Sequence, residues 1–210
     1  MTEEATGWEA AYRKRPMRDR TPHREAEALA GLFRKHHVKR VLDLGCGDGR
    51  HLVGFVAQGF EMAGLDSAPT ALKLAEGFLA KEGLSAELVC ADMTALPYDD
   101  ASFDAVISVK VINHQDIDGI RKTIGEIHRV LRRGGWLFVV VASYAPGEPE
   151  GSEELVRIGP KLYAKKEGHE AGVPHYFATQ EEWAAEFSAF EITDIHKDGQ
   201  KKTVILARKP

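Results

Sequence analysis

The alternation of apolar and polar positions along the chain predicts a regular succession of strands and helices. Five short apolar runs, each bounded by glycine, proline or polar residues, have the length and composition of buried strands. These predicted strands are residues 40–44, 60–65, 86–91, 103–108 and 136–142. Because segments with helical periodicity separate them, the pattern predicts an α/β fold with a mostly parallel, doubly wound sheet.

Helical spacing of apolar residues fills the segments between the strands. The apolar positions of the predicted helices fall within residues 23–37, 52–56, 72–79 and 117–131. Ser67 is the expected N-cap of the third of these helices, and Pro69 suits its first turn. The fourth helix is expected to end at Gly134-Gly135, with the two arginines before them near its C-terminal dipole.

The rhythm breaks at residues 143–178, which are rich in glycine and proline. We interpret this segment as an insertion that lies over the functional site. Order resumes at Thr179, where a capping box opens a further helix. Apolar runs at 190–195 and 203–207 then predict a hairpin with its turn at Asp198-Gly199. The hairpin brings the expected sheet to seven strands, one of them antiparallel.

Composition narrows the classes of function. The net charge of −4 gives no global positive field for a nucleic acid, although basic residues crowd positions 13–20. The longest strongly apolar run, 136–142, is too short to span a bilayer, and the N-terminus lacks the pattern of a secretory signal. The two cysteines, Cys46 and Cys90, lie in apolar segments, which favours reduced core thiols and a cytoplasmic location.

A glycine-rich segment after the first strand is the strongest chemical signal. Gly45, Gly47 and Gly49 let the backbone turn tightly and approach a ligand before the next helix begins. The pattern does not favour a nicotinamide dinucleotide, because Arg50 stands where that fingerprint needs glycine or alanine. Asp43 ends the strand, and its carboxylate would repel a pyrophosphate but suits a ligand with an ammonium group.

Two further aspartates end the next two strands. Asp66 follows the second strand, about twenty residues after the glycines, where a carboxylate can accept hydrogen bonds from both ribose hydroxyls. Asp92 follows the third strand and suits an adenine amine. With Asp43, these acids converge on the crevice at the carboxyl edge of a parallel sheet. Each alone is typical of a cap or turn, but their convergence predicts a nucleoside site.

These segments together resemble the motifs of a known family, the class I S-adenosylmethionine-dependent methyltransferases. The similar segments are residues 43–49, 64–67, 91–98, 102–106 and 131–137. The resemblance covers about residues 38–142 and is closest to the small-molecule "type 11" group. It implies a Rossmann-like methyltransferase fold and S-adenosylmethionine as the cofactor, and it leaves the methyl acceptor undefined.

The resemblance also implies where the cofactor binds. Asp43 and the backbone around Gly45, Cys46 and Gly47 would hold the methionine part, and Asp66 in the acidic loop with Ser67 would bind the ribose. Asp92 and the backbone of Met93 would read the adenine, and Val109 would offer its carbonyl to the amino group. No metal site is expected, because the pair His36-His37 lacks a partner at ligand spacing.

The chain is expected to form a single domain in four parts, since 210 residues suit one core. Residues 1–37 are interpreted as an N-terminal helical cap and residues 38–142 as the cofactor-binding core. Residues 143–178 are interpreted as the substrate-side insertion, and residues 179–210 as the C-terminal helix and hairpin.

Methyl transfer from a sulfonium is an in-line displacement that depends mainly on positioning, so no dedicated catalytic residue is required. A base is needed only if the nucleophile holds a proton of high pKa. His114, just after the fourth strand, is the candidate base; the alternative is a histidine that bonds the backbone near a helix start. The candidates for the substrate pocket are Trp8, Tyr12, His169, His175 and Tyr176.

The sequence thus predicts methyl transfer from S-adenosylmethionine to a small molecule, and two alternatives stay open. The basic stretch from Arg13 to Arg20 suits a tRNA-modifying methyltransferase. A cofactor-binding module without catalysis would carry the same motifs. The insertion, with its glycines and histidines, favours an acceptor site over such a module.

Overall fold

The computed structural model describes residues 7–14, 20–143, 154–168, 170–199 and 202–210. Within these ranges the helices are α1 (Gly7–Lys14), α2 (Ala26–Lys35), α3 (Arg50–Val56), α4 (Pro69–Lys81), α5 (Ile117–Val130) and α6 (Gln180–Glu186). No helix in this part of the chain is long and apolar enough to cross a bilayer.

The strands form one large and one small sheet. They are β1 (Arg40–Leu44), β2 (Glu61–Asp66), β3 (Glu87–Cys90), β4 (Phe103–Val109), β5 (Leu131–Ala142), β6 (Leu155–Gly159), β7 (Leu162–Lys165), β8 (Pro174–Tyr176), β9 (Glu191–Lys197) and β10 (Lys202–Arg208). The large sheet has seven strands in the order β3-β2-β1-β4-β5-β10-β9. The small sheet has the order β6-β7-β8.

The predicted α/β architecture is confirmed. The first five strands in this order, β3 to β5, run parallel to one another. Strand β10 is antiparallel to both β5 and β9. The strand order reverses between β1 and β4, so the carboxyl ends of these strands border a crevice at the switch point. The large sheet therefore has the Rossmann-like topology with one antiparallel C-terminal strand.

Apolar side chains cover both faces of the large sheet. Within β5, Val139 and Val141 pack with helices α5 and α6, whereas Phe138 and Val140 pack with α2, α3 and α4. This alternation follows from the period of two along a strand. The fully buried Trp183 of α6 donates from Nε1 to the carbonyl of Ala142 at 2.8 Å, which fixes α6 against the end of β5.

The predicted end of the amphipathic helix is wrong. Helix α5 ends at Val130, and β5 begins directly at Leu131, so the two arginines and Gly134-Gly135 belong to the strand. Arg132 pairs with Asp104 of β4 at 2.9 Å, which anchors this part of the strand. Lys209 donates from Nζ to the carbonyls of His128 and Leu131 at 2.6 and 2.9 Å, and it supplies the cation at the helix end.

The predicted cap of α4 is also wrong. The N-cap residue is Ala68, which has no side chain to accept a hydrogen bond, and Pro69 occupies the first turn as expected. The missing acceptor comes from α1. The Glu9 carboxylate accepts from the backbone N–H of Thr70 at 3.0 Å and from its hydroxyl at 2.7 Å. Helix α1 is thereby attached to the start of α4.

The C-terminal predictions are confirmed. The Thr179 hydroxyl accepts from the N–H of Glu182 at 3.3 Å, and the Glu182 carboxylate accepts from the N–H of Thr179 at 2.9 Å, which is a capping box. Strands β9 and β10 form the expected hairpin, and Asp198 accepts from the N–H of Lys202 across its turn at 3.2 Å.

The small sheet was not predicted from the sequence. Strands β6, β7 and β8 have between three and five residues each. Runs this short show too few alternations to identify a strand, and the glycines and prolines around them favour loops. The segment 143–178 is therefore a second sheet in the part that the structure describes.

Candidate active site

A cavity of about 500 Å³ lies at the carboxyl edge of the large sheet. Its walls come from the loops after β1, β2, β3 and β4, from the end of β5, from α1 and from the small sheet. This volume is in the range of small-ligand sites. The cavity sits where parallel sheets of this topology bind their ligands.

The glycine loop after β1 forms one wall. Gly45 and Gly47 line the cavity and have φ of 73° and 56°, a backbone conformation that favours glycine. The N–H groups of Gly45 and Cys46 donate to the carbonyl of Leu65 at 2.7 and 3.0 Å, which ties the loop to β2. A side chain on Gly45 would collide with Val111, because its Cβ would lie 2.9 Å from the Val111 Cβ.

Asp66 is held rigidly beside this loop. Its Oδ2 accepts from the N–H of Gly47 and its Oδ1 accepts from the N–H of Ala68, both at 2.9 Å. Burial raises the pKa of Asp66, while these backbone hydrogen bonds lower it. Each oxygen retains a further lone pair, and the residue lines the cavity with the exposed Ser67 beside it. The carboxylate is thus arranged to accept two further hydrogen bonds.

Asp43 lies beneath the glycine loop and does not line the cavity. Its side chain is 1% exposed, and Oδ2 has no hydrogen-bond partner among the described residues. Burial raises its pKa to about 7, with opposing effects of Arg50, which lowers it, and Asp66, which raises it. A buried carboxyl oxygen without a donor is unusual in a folded protein, which makes Asp43 a candidate ligand-binding residue. Direct contact between Asp43 and the cofactor stays a prediction.

Of the two predicted adenine-binding residues in the loop after β3, only Met93 lines the cavity. Met93 lines the wall and accepts a contact from the Gln115 amide on its sulfur at 3.2 Å. The exposed Asp92 accepts from both the N–H and the hydroxyl of Thr94 at 2.7 Å, so its Oδ1 stabilises the local turn. Asp92 is not part of the cavity wall, and its adenine role stays a prediction.

Val109 is the last residue of β4 and lines the cavity, and the contact of its carbonyl with the cofactor stays a prediction. The next residue, Lys110, has φ of 63° and donates from its N–H to the carbonyl of Val140 at 2.8 Å. A non-glycine residue in this conformation at a strand end is common beside functional sites. Lys110 also lines the cavity.

Helix α1 covers one side of the cavity with Trp8 and Tyr12. The Trp8 ring contacts that of His114 edge-on, with 4.8 Å between centroids. Burial raises the pKa of Tyr12, and the charges of Asp66 and Asp48 raise it further, so its hydroxyl stays protonated. Tyr12 can therefore donate a hydrogen bond into the cavity.

His114 lines the cavity, but both of its ring nitrogens face the backbone. Nδ1 lies 3.1 Å from the carbonyl oxygen of Pro174, and Nε2 lies 3.0 Å from that of Lys110. Burial lowers the pKa of His114, and the two carbonyl groups raise it. Neither ring nitrogen is directed at the cavity in this arrangement. The geometry favours the alternative role, and a role as base would require the ring to turn.

His175 lies next to His114, with 4.5 Å between ring centroids. It is buried, and its Nε2 has no hydrogen-bond partner among the described residues but lies 3.7 Å from the Glu170 carboxylate. Burial lowers the pKa of His175 to about 4, with the charge of His114 as the next cause. Glu170 also forms an ion pair with Lys165. All of these residues line the cavity.

The prediction that Tyr176 lines the substrate pocket is wrong. Side chains alternate along β8 and into the next residue, so His175 and Phe177 face the cavity, whereas Tyr176 packs against Trp183 in the core on the α6 side. His169 was also predicted to line the pocket, and it lies outside the described residues.

Several cavity residues were missed in the sequence. Lys202 begins β10 and pairs with Ala142, which ends β5, so the hairpin brings a lysine to the cavity from the far end of the chain. Its only sequence signal was its place just after the predicted Asp198-Gly199 turn. His51 of α3 is buried in the wall and accepts from the N–H of His23 at 3.1 Å.

The fold and the cavity define a class of protein, the Rossmann-like proteins that bind a nucleoside cofactor at the switch point without a dinucleotide fingerprint. Comparison with known proteins identifies the family. Residues 41–135 match the family model described as a methyltransferase domain. A demethylmenaquinone methyltransferase from Thermus thermophilus is 40% identical over 121 residues, which cover 56% of this chain and 52% of that protein.

A second curated relative is also a methyltransferase, and a solved structure has a similar fold. A 24-methylenesterol C-methyltransferase 2 from Oryza sativa is 29% identical over 161 residues, covering 71% of this chain and 44% of that protein. The chain spans about half the length of these two relatives. A crystal structure of a protein from Pyrococcus horikoshii superposes with a TM-score of 0.74 at 19% identity, covering 95% of this chain and 98% of that one. The chain is thus similar to S-adenosylmethionine-dependent methyltransferases, and the match over residues 41–135 supports a class I methyltransferase domain.

Proposed function

We propose that this protein transfers a methyl group from S-adenosylmethionine to a small-molecule acceptor. The observation that carries the proposal is the Asp66 carboxylate, held by two backbone N–H groups beside the glycine loop on the wall of the cavity. The curated relatives named above act on a quinone precursor and a sterol by their names, which supports a small-molecule acceptor.

The residues present fit the cofactor. A carboxylate with free lone pairs suits a ribose diol, and the orphaned oxygen of Asp43 suits a nearby ammonium group. The apolar wall beside Asp66 includes Leu65, Ala91 and Met93, which suits the faces of an adenine ring. Tyr12, which stays protonated, offers a donor for a carboxylate.

S-adenosylmethionine, when bound, supplies an electrophilic methyl group, which forms a bond to the acceptor's lone pair as its bond to sulfur breaks and leaves a neutral thioether. The chain's own residues orient the two reactants and exclude water. Helix α1 closes one side of the cavity, since Glu9 fixes it to α4 while Trp8 and Tyr12 face inward. Positioning of this kind contributes on the order of 7–11 kcal/mol to a displacement.

A proton on the acceptor atom would pass to a histidine of the cavity. His175 is better suited than His114, because both nitrogens of His114 contact backbone carbonyls. The Glu170 carboxylate beside Nε2 of His175 would stabilise the imidazolium that forms. Burial lowers the pKa of His175 to about 4, so the ring is neutral at neutral pH, and it is a weak base that depends on the Glu170 carboxylate to hold the proton.

Two alternatives are weaker. A tRNA-modifying enzyme needs a broad basic surface, whereas Arg13, at the start of the basic stretch, pairs with Glu9 at 2.7 Å and the net charge is −4. A module without catalysis would have no use for the histidines and lysines beside the cofactor region of the cavity. The two cysteines are unpaired, which supports a reducing, cytoplasmic location.

The proposal is tested with S-adenosylmethionine that carries a labelled methyl group. The protein is incubated with a bacterial extract separated into small molecules, total tRNA and protein. Label is expected in the small-molecule fraction only, and it disappears when the extract is omitted. Label in the tRNA fraction would favour the tRNA alternative, and cofactor binding without transfer to any fraction would favour the module.

A further inference from the structure

The charges around the cavity fall into two groups. Arg50 and Asp66 act on the pKa of Asp43, in the region assigned to the cofactor. The charges that act on Lys202 are Lys110, Asp198, Glu170 and Lys165, in that order. We call the second region, defined by Lys110, Lys165, Lys202, Glu170 and His175, the acceptor side.

Two lysines on the acceptor side lack an ionic partner. Lys165 pairs with Glu170, but neither Lys110 nor Lys202 forms a salt bridge within the part of the chain that the structure describes. Lys202 is partly buried, and burial lowers its pKa. Asp198 and Glu170 lie near enough to raise the pKa of Lys202, but neither forms a salt bridge with it among the described residues. A bound anion would supply the close partner that this partly buried ammonium group lacks.

The charges of these two lysines affect the pKa values of histidines in and beside the acceptor side. The charge of Lys202 lowers the pKa values of His114 and His175, although burial is the larger cause for both. The charge of Lys110 similarly lowers the pKa values of His23 and His51. Carboxylates oppose this effect, Glu170 at His114 and His175, and Glu25 and Asp198 at His23. The positive charge of the two lysines therefore reaches all four histidines but is partly balanced at three of them. With these histidines neutral, the region is suited to a negative ligand.

An apolar ring surface lies next to this charge. The rings of His175 and Phe177 are nearly parallel, with an interplanar angle of 12° and 6.2 Å between centroids. Both residues line the cavity with Trp8 on the opposite element. Flat ring surfaces of this kind pack against aromatic or other planar apolar groups.

We propose that the methyl acceptor is an anionic small molecule with a planar apolar body, and that Lys202 and Lys110 bind its carboxylate. This inference rests on the proposed function, since it names the substrate class of the same site. Lys202, at the start of β10, makes the deeper contact, because it is partly buried. Lys110 is exposed at the end of β4 and closes the anion site from the mouth of the cavity.

The test is a binding experiment on protein saturated with S-adenosylhomocysteine, using 4-hydroxybenzoate and its neutral analogue 4-hydroxybenzamide as probes. The benzoate is expected to bind more tightly than the benzamide, with an affinity that falls as salt is added. Lys202→Met is expected to weaken benzoate binding about tenfold or more, because the carboxylate loses a partly buried partner. Lys110→Met is expected to weaken it about two- to fivefold, since an exposed ion pair is worth less.

A matched control is Lys122→Met, which removes one exposed lysine on α5 and should leave benzoate binding unchanged. Equal binding of benzoate and benzamide, no benzoate binding by the loaded protein, or full benzoate affinity in Lys202→Met would each overturn the proposal. Weaker binding of S-adenosylhomocysteine by Lys202→Met would also overturn it, because the lysine would then serve the cofactor. Failure of the unsubstituted protein to bind S-adenosylhomocysteine would instead contradict the proposed function.

Discussion

At the scale of single residues, the acids of the cavity differ in what their surroundings let them do. Asp66 is satisfied by two backbone donors, whereas Asp43 is buried with an orphaned oxygen. Such a carboxyl is unfavourable for the free protein and is kept where a ligand needs it. We therefore expect Asp43 to lower the stability of the free protein while it favours ligand binding. The pH dependence of the unfolding free energy tests the first of these effects.

Asp43→Asn should stabilise the ligand-free protein at pH 8 and weaken binding of the cofactor. The pKa of Asp43 is raised from 3.8 to about 7, so between these values the folded protein holds a proton that the unfolded chain has lost. Stability due to this group therefore falls as the pH rises through that window and is lowest above it. The gain from the substitution at pH 8 is expected to be on the order of 1–3 kcal/mol.

Urea denaturation at pH 8 and pH 5, with titration of S-adenosylhomocysteine, measures both effects. The difference in unfolding free energy between variant and unsubstituted protein should shrink at pH 5. A difference that is the same at both pH values, or an unchanged cofactor affinity, would show that Asp43 has no ionised role in the site.

At the scale of elements, helix α1 forms part of the cavity wall and is also attached to α4. It has eight residues, too few to be stable alone, so it depends on its contacts. Glu9 supplies the acceptor that Ala68 cannot supply at the start of α4, and Trp8 and Tyr12 cover the cavity. The same carboxylate thus caps one helix and positions another.

Glu9→Gln should loosen α1 without unfolding the core. The neutral amide loses the charge that strengthens both bonds to Thr70, and it also loses the ion pair with Arg13. Affinity for S-adenosylhomocysteine is expected to fall about fivefold, equivalent to about 1 kcal/mol. The control is Glu76→Gln, an exposed carboxylate on α4, which should bind as the unsubstituted protein does. Equal affinities of both variants for S-adenosylhomocysteine would show that α1 does not contribute to binding of the cofactor.

The elements also show what the sequence could and could not predict. Strand β1 and the C-terminal hairpin followed from apolar runs and turn residues that local sequence determines. The end of α5 did not, because the cation at its C-terminus is Lys209, which lies far away in the chain. The small sheet escaped prediction because its strands are too short to show a period.

The residues of the candidate site also fall into those that the sequence could predict and those that it could not. The glycine loop and Asp66 stand next to strand ends, so the pattern of strands was enough to bring them together. Tyr176 was assigned to the wrong side because the alternation along β8 was invisible without the strand. Lys202 was missed because only the pairing of β10 with β5 brings it to the cavity.

At the scale of the whole molecule, the switch point of the sheet organises the site. The parallel strands deliver the glycine loop and Asp66 to one side of the cavity, while the hairpin and the small sheet deliver Lys202, Lys165 and His175 to the other. One side suits a nucleoside with an ammonium group and the other suits an anion. The division explains how one fold accepts a fixed cofactor and a variable acceptor.

The most direct test is calorimetric titration of the purified, ligand-free protein with S-adenosylmethionine, with NAD as the control. We expect S-adenosylmethionine to bind at one site per chain and NAD not to bind, because the Asp43 carboxylate would repel a pyrophosphate and Arg50 replaces the third glycine. Binding of NAD, or no binding of S-adenosylmethionine by folded protein, would contradict the account.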